Sequence, residues 1–163
     1  MLILTTQCVL NQNCVVVPLA RAGGAFKQVT DILLAGNLSV IQLPCPELLY
    51  SGLTRLPKTK EEYDTKDYRS HCRRIALEQF KILEIYLAAG YEIKGLIGIA
   101  KSPTCDTSSK NGIFMEEFLP LFAAKNISLP VIDIPADYIE GEENGKKFLY
   151  SLRSWLTTSN LGT

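Results

Sequence analysis

The sequence predicts a single α/β domain built on an open, mainly parallel sheet with helices on both faces, and three observations carry that expectation. Short apolar runs alternate with helix-period segments along the whole chain. The run 94–100, KGLIGIA, mixes glycine with aliphatic residues and holds no charge after Lys94, the pattern of a strand buried on both faces. With 163 residues, 47% of them hydrophobic and 21% charged, the chain can build one sizeable core, and no repeat or linker divides 1–163.

Taken in order, residues 2–6 form a β-type apolar run and the first strand. A further run, 15–17, follows the polar stretch 7–13 and reads as a strand or a buried loop. After Gly23 and Gly24, the residues Phe26, Val29, Ile32 and Leu33 recur at helical spacing, and Gly36 with Asn37 supplies a stop. Residues 38–43 read as the second strand. Pro44 and Pro46 end it, because proline cannot donate to a sheet, and they aim Cys45 rigidly.

The stretch 51–60, punctuated by Gly52 and Pro57, reads as a loop. Asp64 is the expected cap of a long helix over 65–89, terminated by Gly90. Its apolar stripe is Tyr68, Cys72, Ile75, Leu83 and Tyr86, with Arg69, Arg73 and Glu84 outward. The run 94–100 is the third strand and leads into the loop KSPTCDTSSKNG. Residues 113–125 have helical spacing, with Pro120 expected to kink or divide them. Residues 131–134 form the fourth strand, and Phe148, Leu149, Leu152 and Trp155 mark a closing helix. Right-handed crossovers then favour the flavodoxin-like or Rossmann-like strand order 2-1-3-4.

Seventeen basic residues balance seventeen acidic ones, so no long-range field draws nucleic acid or anionic lipid. No segment is long enough to span a bilayer, and the opening Met-Leu-Ile-Leu lacks a charged leader and a cleavage site. A cytoplasmic location follows as the expectation. There, five cysteines are expected to be buried, metal-bound or catalytic rather than bridged, and the sequons at Asn37 and Asn126 carry no weight.

In the order 2-1-3, Cys8, Cys45 and Cys105 each lie just beyond the carboxyl end of one strand, the ligand-binding edge of such sheets. Neighbouring strands are about 4.8 Å apart, which brings three thiols within reach of one inorganic centre. Thiolates suit an iron–sulfur cluster or zinc. A fourth position could be filled by Cys14, by His71, or be left open for catalysis. Glu47 could move protons in a desolvated pocket or be a carboxylate favoured at a helix start. Ser102 could orient substrate or water, or be a turn serine before Pro103. Cys72 reads as core. Arg69, Arg73 and Arg74 could hold an anion or simply face water, and residues 107–112 could cradle an anion at the next helix start.

The segments CVLNQNC (8–14), CPELLYSG (45–52) and KSPTC (101–105) resemble the CLLGxxC, CPExxGG and SPSCG motifs of the thiouracil desulfurase family, in the same order over most of the chain. The resemblance implies a [4Fe–4S] cluster held by Cys8, Cys45 and Cys105. One iron, free of cysteine, would take sulfur from a small thiolated compound such as thiouracil, with Glu47 and Ser102 transferring protons. Asn11 replaces a motif glycine, an RYDG motif is missing after the second cysteine, and Asp106 stands where a glycine follows the third. These departures motivate an alternative, a non-catalytic metal-binding or cluster-binding accessory module.

Overall fold

Strands β1 (Leu2–Thr6), β2 (Ser39–Leu43), β3 (Ile93–Ile99) and β4 (Val131–Ile134) form one parallel sheet in the order β2-β1-β3-β4 in the computed structural model, which describes residues 1–108 and 110–158. This is the expected Rossmann-like order. Thr6 pairs with Leu43, Thr5 with Ile97, and Ile99 with Ile134, so all four strands end along one edge.

Alternation along the strands divides the core in two. Leu4, Leu43 and Leu96 face the side covered by α5 (Lys66–Ala88) and α6 (Ile113–Ala123). There Phe80, Phe118 and Phe122 meet edge to face at 4.9 and 5.3 Å. Ile3, Ile97 and Ile134 face the side covered by α2 (Lys27–Ala35) and α7 (Glu143–Thr158), around Phe26, Tyr138 and Phe148.

Of the two readings of residues 15–17 the loop holds: they form no strand and follow a 3-10 turn, Gln12–Cys14, with Val16 buried and Val17 exposed. Several local expectations are corrected. Short helices flank the loop after β2. Pro46 starts α3 (Pro46–Ser51), because its missing N–H and fixed φ suit a first helical position. A capping box between Thr59 and Glu62 builds α4 (Lys60–Tyr63). Asp64 therefore ends α4 and pairs with Arg69, while Thr65 caps α5 by accepting from the Tyr68 N–H at 3.2 Å. Tyr86 is 37% exposed, and Ala76 and Phe80 complete the buried stripe instead. Arg69 faces outward, partly exposed, and also bonds Asp64 and Glu116. Helix α6 runs undivided through Pro120, with Phe118 and Phe122 anchored in the core on either side.

The reassigned cap is testable. Thr65→Ala is expected to cost about 1 kcal/mol in urea unfolding, and Asp64→Ala less, since it removes only a partly exposed ion pair. The reverse ranking would restore Asp64 as the cap. Among the described residues, no helix is long and apolar enough to cross a membrane.

Candidate functional site

The sheet edge is tied together by side chains of the residues that follow each strand. Strand β1 passes directly into α1 (Gln7–Leu10), placing Cys8 in its first turn with Sγ 3.5 Å from Thr6 Oγ1. The Gln7 side chain accepts the Cys45 N–H at 2.6 Å, joining the ends of β1 and β2. Buried Gln12 donates to the Cys8 carbonyl at 2.6 Å and accepts the Arg21 N–H at 2.8 Å. Beyond β3, Lys101 sits in the left-handed region at φ 61°, and the chain turns sharply into Cys105. Ser102 Oγ accepts from the N–H groups of Thr104 and Cys105 at 3.3 and 3.0 Å, and the Ile99 N–H bonds the Cys105 carbonyl at 3.2 Å.

These turns open onto one cavity of about 280 Å³. Cys8, Cys45, Cys105, Glu47 and Ser102, the residues singled out from sequence, all line it, and so does Cys14. Val16, Leu19, Ile99 and Pro57 supply apolar wall, and Arg21, Arg55, Lys58 and Lys101 supply positive charge.

Other candidates fall elsewhere. His71 lies inside α5 with Nε2 3.0 Å from the Pro46 carbonyl, outside the cavity lining. Cys72 is fully buried in the α5 core. Arg74 pairs with Glu78 on the helix surface. The run 107–112 has no open cradle among its described residues, because carboxylates of the chain already occupy it; Ser109 lies outside those residues. The Thr107 N–H donates to Asp133 at 3.1 and 3.2 Å, and the Ser108 and Lys101 N–H groups donate to Asp106 at 2.7 and 2.6 Å. The N–H groups of Ile113 and Phe114 are taken by the carbonyls of Pro103 and Thr104. Lys60 clamps the loop from α4, donating to the Lys110 and Asn111 carbonyls and to Glu116.

Sequence reasoning missed Arg55. Its side chain is only 4% exposed, and it donates to Glu47 Oε2 at 3.4 Å, the Cys14 carbonyl at 2.7 Å and the Gly52 carbonyl at 2.9 Å. Its Nη2 also lies 4.0 Å from Cys45 Sγ. The one hint was a charge set between Leu53 and Leu56 in a loop, which no motif or period distinguishes.

Burial pushes the Cys8 thiol up to about 11 and the Cys105 thiol well above its usual range, and the neighbouring Cys45 sulfur adds to both. The Cys14 thiol hydrogen-bonds Cys45, which holds Cys45 below the ordinary thiol value and raises Cys14. Burial also raises Asp133 above the ordinary carboxyl value. Its native carboxyl thus binds a proton more tightly than the unfolded chain does, and the stability it contributes falls as pH rises from near 3.8 through the native pKa. Asp133→Asn, which keeps an acceptor for Thr107, is therefore expected to be at least as stable as the parent at about pH 7, with that advantage shrinking toward about pH 4. Asp133→Ala leaves the Thr107 N–H unpaired and is expected to cost about 1–3 kcal/mol. Urea unfolding across that pH range checks both.

Among the described residues, no three His, Cys, Asp or Glu side chains are grouped so as to hold a metal ion. No protein-family model and no solved structure matches the chain. Its sequence is 45% identical over 148 residues, 91% of this chain and 92% of the other, to the uncharacterized protein MJ0003 of Methanocaldococcus jannaschii. Identity at that level across nine-tenths of both chains makes this protein a member of the MJ0003 family.

Proposed function

We propose that the protein is an iron–sulfur-dependent desulfurase acting on a small thiocarbonyl compound, with Cys8, Cys45 and Cys105 as ligands of a [4Fe–4S] cluster. One observation carries the reading: thiols from three adjacent strand ends line a single cavity together with the carboxylate of Glu47. The donor set fits, because thiolates are the usual ligands of such clusters. A cation would also relieve the burial that disfavours thiolate at Cys8 and Cys105. Thiolates also suit zinc, which metal analysis after reconstitution separates from a cluster.

When bound, the cluster supplies a Lewis-acidic iron, not held by cysteine, that accepts sulfur. Overall, C=S and water become C=O and hydrogen sulfide, so a proton must leave water and protons must reach sulfur. Glu47 is the carboxylate in the cavity lining. Its Oε2 accepts from Arg55 and from Tyr63 at 3.5 Å, which fixes the group while Oε1 has no protein donor among the described residues. Ser102 accepts two backbone N–H groups, so its own hydroxyl proton is what it can donate to a bound substrate.

The departures from the family motifs have structural counterparts here. Asp106 holds the turn after β3 through the Lys101 and Ser108 amides, and Asn11 accepts the Asn13 N–H at 3.1 Å. Both keep ligand-bearing turns in shape. Mixing the anaerobically reconstituted protein with thiouracil is expected to consume the thiocarbonyl absorption and release equimolar sulfide. A formed cluster with no conversion of any small thiocarbonyl compound would instead leave the accessory-module reading.

A further inference from the structure

We infer that Cys14 and Cys45 are a disulfide-forming pair: in the protein without its cluster a small-molecule disulfide joins them reversibly, which caps Cys45 until the cluster is built. The bond itself needs only the two thiols, whereas its part in guarding a ligand rests on the desulfurase reading. Cys14 ends the 3-10 turn Gln12–Cys14 and lines the cavity together with Cys45. It is only 1% exposed, yet it belongs to neither apolar core cluster, and it follows no strand end directly as Cys8 and Cys45 do. Core packing therefore does not account for it.

The two side chains meet across the cavity wall through a thiol–thiol hydrogen bond. Cys8 instead has Thr6 Oγ1 beside its sulfur at 3.5 Å, and Cys72 lies apart in the α5 core. Both partners are held in place by their backbones. The Cys45 N–H donates to the Gln7 side chain at 2.6 Å, and the Gln12 side chain ties the Cys14 turn to α1 by donating to the Cys8 carbonyl at 2.6 Å. Nη2 of Arg55 donates to the Cys14 carbonyl at 2.7 Å and lies 4.0 Å from the Cys45 sulfur, so one nitrogen touches both residues. Thiols already in contact have little distance to close to an S–S bond of about 2.05 Å.

Exposure sets the order of events, because Cys45 is partly exposed and Cys14 is buried. The Cys45 thiol gives up its proton and attacks one sulfur of the small disulfide, whose S–S bond breaks, and one small thiol leaves with that proton. Cys14 then attacks the Cys45 sulfur of the mixed disulfide, and the second small thiol leaves with the Cys14 proton. Two cysteine thiols are oxidised, one small disulfide is reduced to two thiols, and a thiol reductant reverses the exchange. In the bridged state the Cys45 sulfur cannot bind iron and is not open to the irreversible steps of cysteine oxidation. With a cluster in place, Cys45 is occupied and the bridge does not form.

The test treats the folded, cluster-free protein under argon with oxidised mercaptoethanol, a small neutral disulfide, and reads the product by intact mass and peptide fragmentation. The parent is expected to lose the mass of two hydrogen atoms, with the new bond between Cys14 and Cys45. Fragmentation is needed because no Lys or Arg separates Cys8 from Cys14. Cys14→Ser is expected to stop at the mixed disulfide, gaining one mercaptoethanol on Cys45, while Cys8→Ser bridges as the parent does. No bridge in the parent, or one that joins Cys45 to Cys8 or Cys105, overturns the inference, and the parent decides this whether or not a variant folds. The reconstituted protein under the same treatment is expected to keep its visible absorption and form no bridge. A bridge formed beside an intact cluster keeps the pair but overturns its guarding role, and takes Cys45 out of the ligand set. A protein that bridges Cys14 to Cys45 yet assembles no cluster upholds the pair and sinks the desulfurase reading alone.

Discussion

Cys105→Ala is expected to abolish cluster assembly, with iron per chain after reconstitution falling to background and sulfide release dropping by about 10³-fold or more. Residues that merely support a metal ligand cost about 10–100-fold when removed, and a ligand itself should exceed that. Cys105 is nearly buried in the turn after β3, and the Ser102 hydroxyl oxygen accepts its backbone N–H, which fixes where the thiol sits. Loss of fold would give the same result, and Cys72→Ala controls for it. Cys72 is a still more deeply buried thiol in the same core cluster, but it does not line the cavity. Each substitution should cost about 1 kcal/mol by the loss of a small buried group. Only the first should lose iron. If both variants take up iron as the parent does, Cys105 is a packing residue.

Gly112→Ala should be the most damaging of the small substitutions, at about 3 kcal/mol or more, with a matching fall in iron uptake. The φ of Gly112 is −69°, so no left-handed strain is involved and the whole penalty is steric. An added Cβ would sit well under 3.0 Å from the carbonyl carbon and oxygen of Thr104 and the amide nitrogen of Cys105. All three are backbone atoms and cannot rotate away. The segments are also pinned together, because the Gly112 N–H donates to the Asp106 carbonyl at 2.7 Å and the Phe114 N–H to the Thr104 carbonyl at 3.1 Å. Relief therefore requires moving the turn that carries Cys105. Gly23→Ala, where nothing lies within 4 Å of the new methyl, should change stability by less than about 1 kcal/mol. Urea unfolding of both variants decides the matter, and a Gly112→Ala protein as stable as Gly23→Ala would contradict this packing.

The sheet was readable because each strand announces itself over a few residues. The run GLIGIA, free of charge after Lys94, has the pattern of a two-sided strand, and once four strand runs alternate with helices, crossover handedness leaves few orders. Thiol placement followed from the order, since Cys8 and Cys45 come two residues after their strands and Cys105 lies in the loop that follows β3. What escaped depends on contacts between segments distant in sequence. Asp64 and Thr65 are both acceptable caps, and the choice turned on a capping box upstream that ends α4 at Asp64. Residues 107–112 looked like an anion cradle because Asp133, which occupies it, lies over twenty residues away on β4. Arg55 escaped for the same reason: its partners Cys14 and Glu47 sit in the 3-10 turn after α1 and in α3.

Iron and acid-labile sulfide per chain after anaerobic reconstitution test the central claim most directly. About four of each per chain, with a broad visible absorption that disappears in Cys8→Ala, Cys45→Ala and Cys105→Ala but persists in Cys72→Ala, is the expected result. A colourless protein that takes up no iron, or a cluster that survives loss of any one of those three thiols, would contradict it.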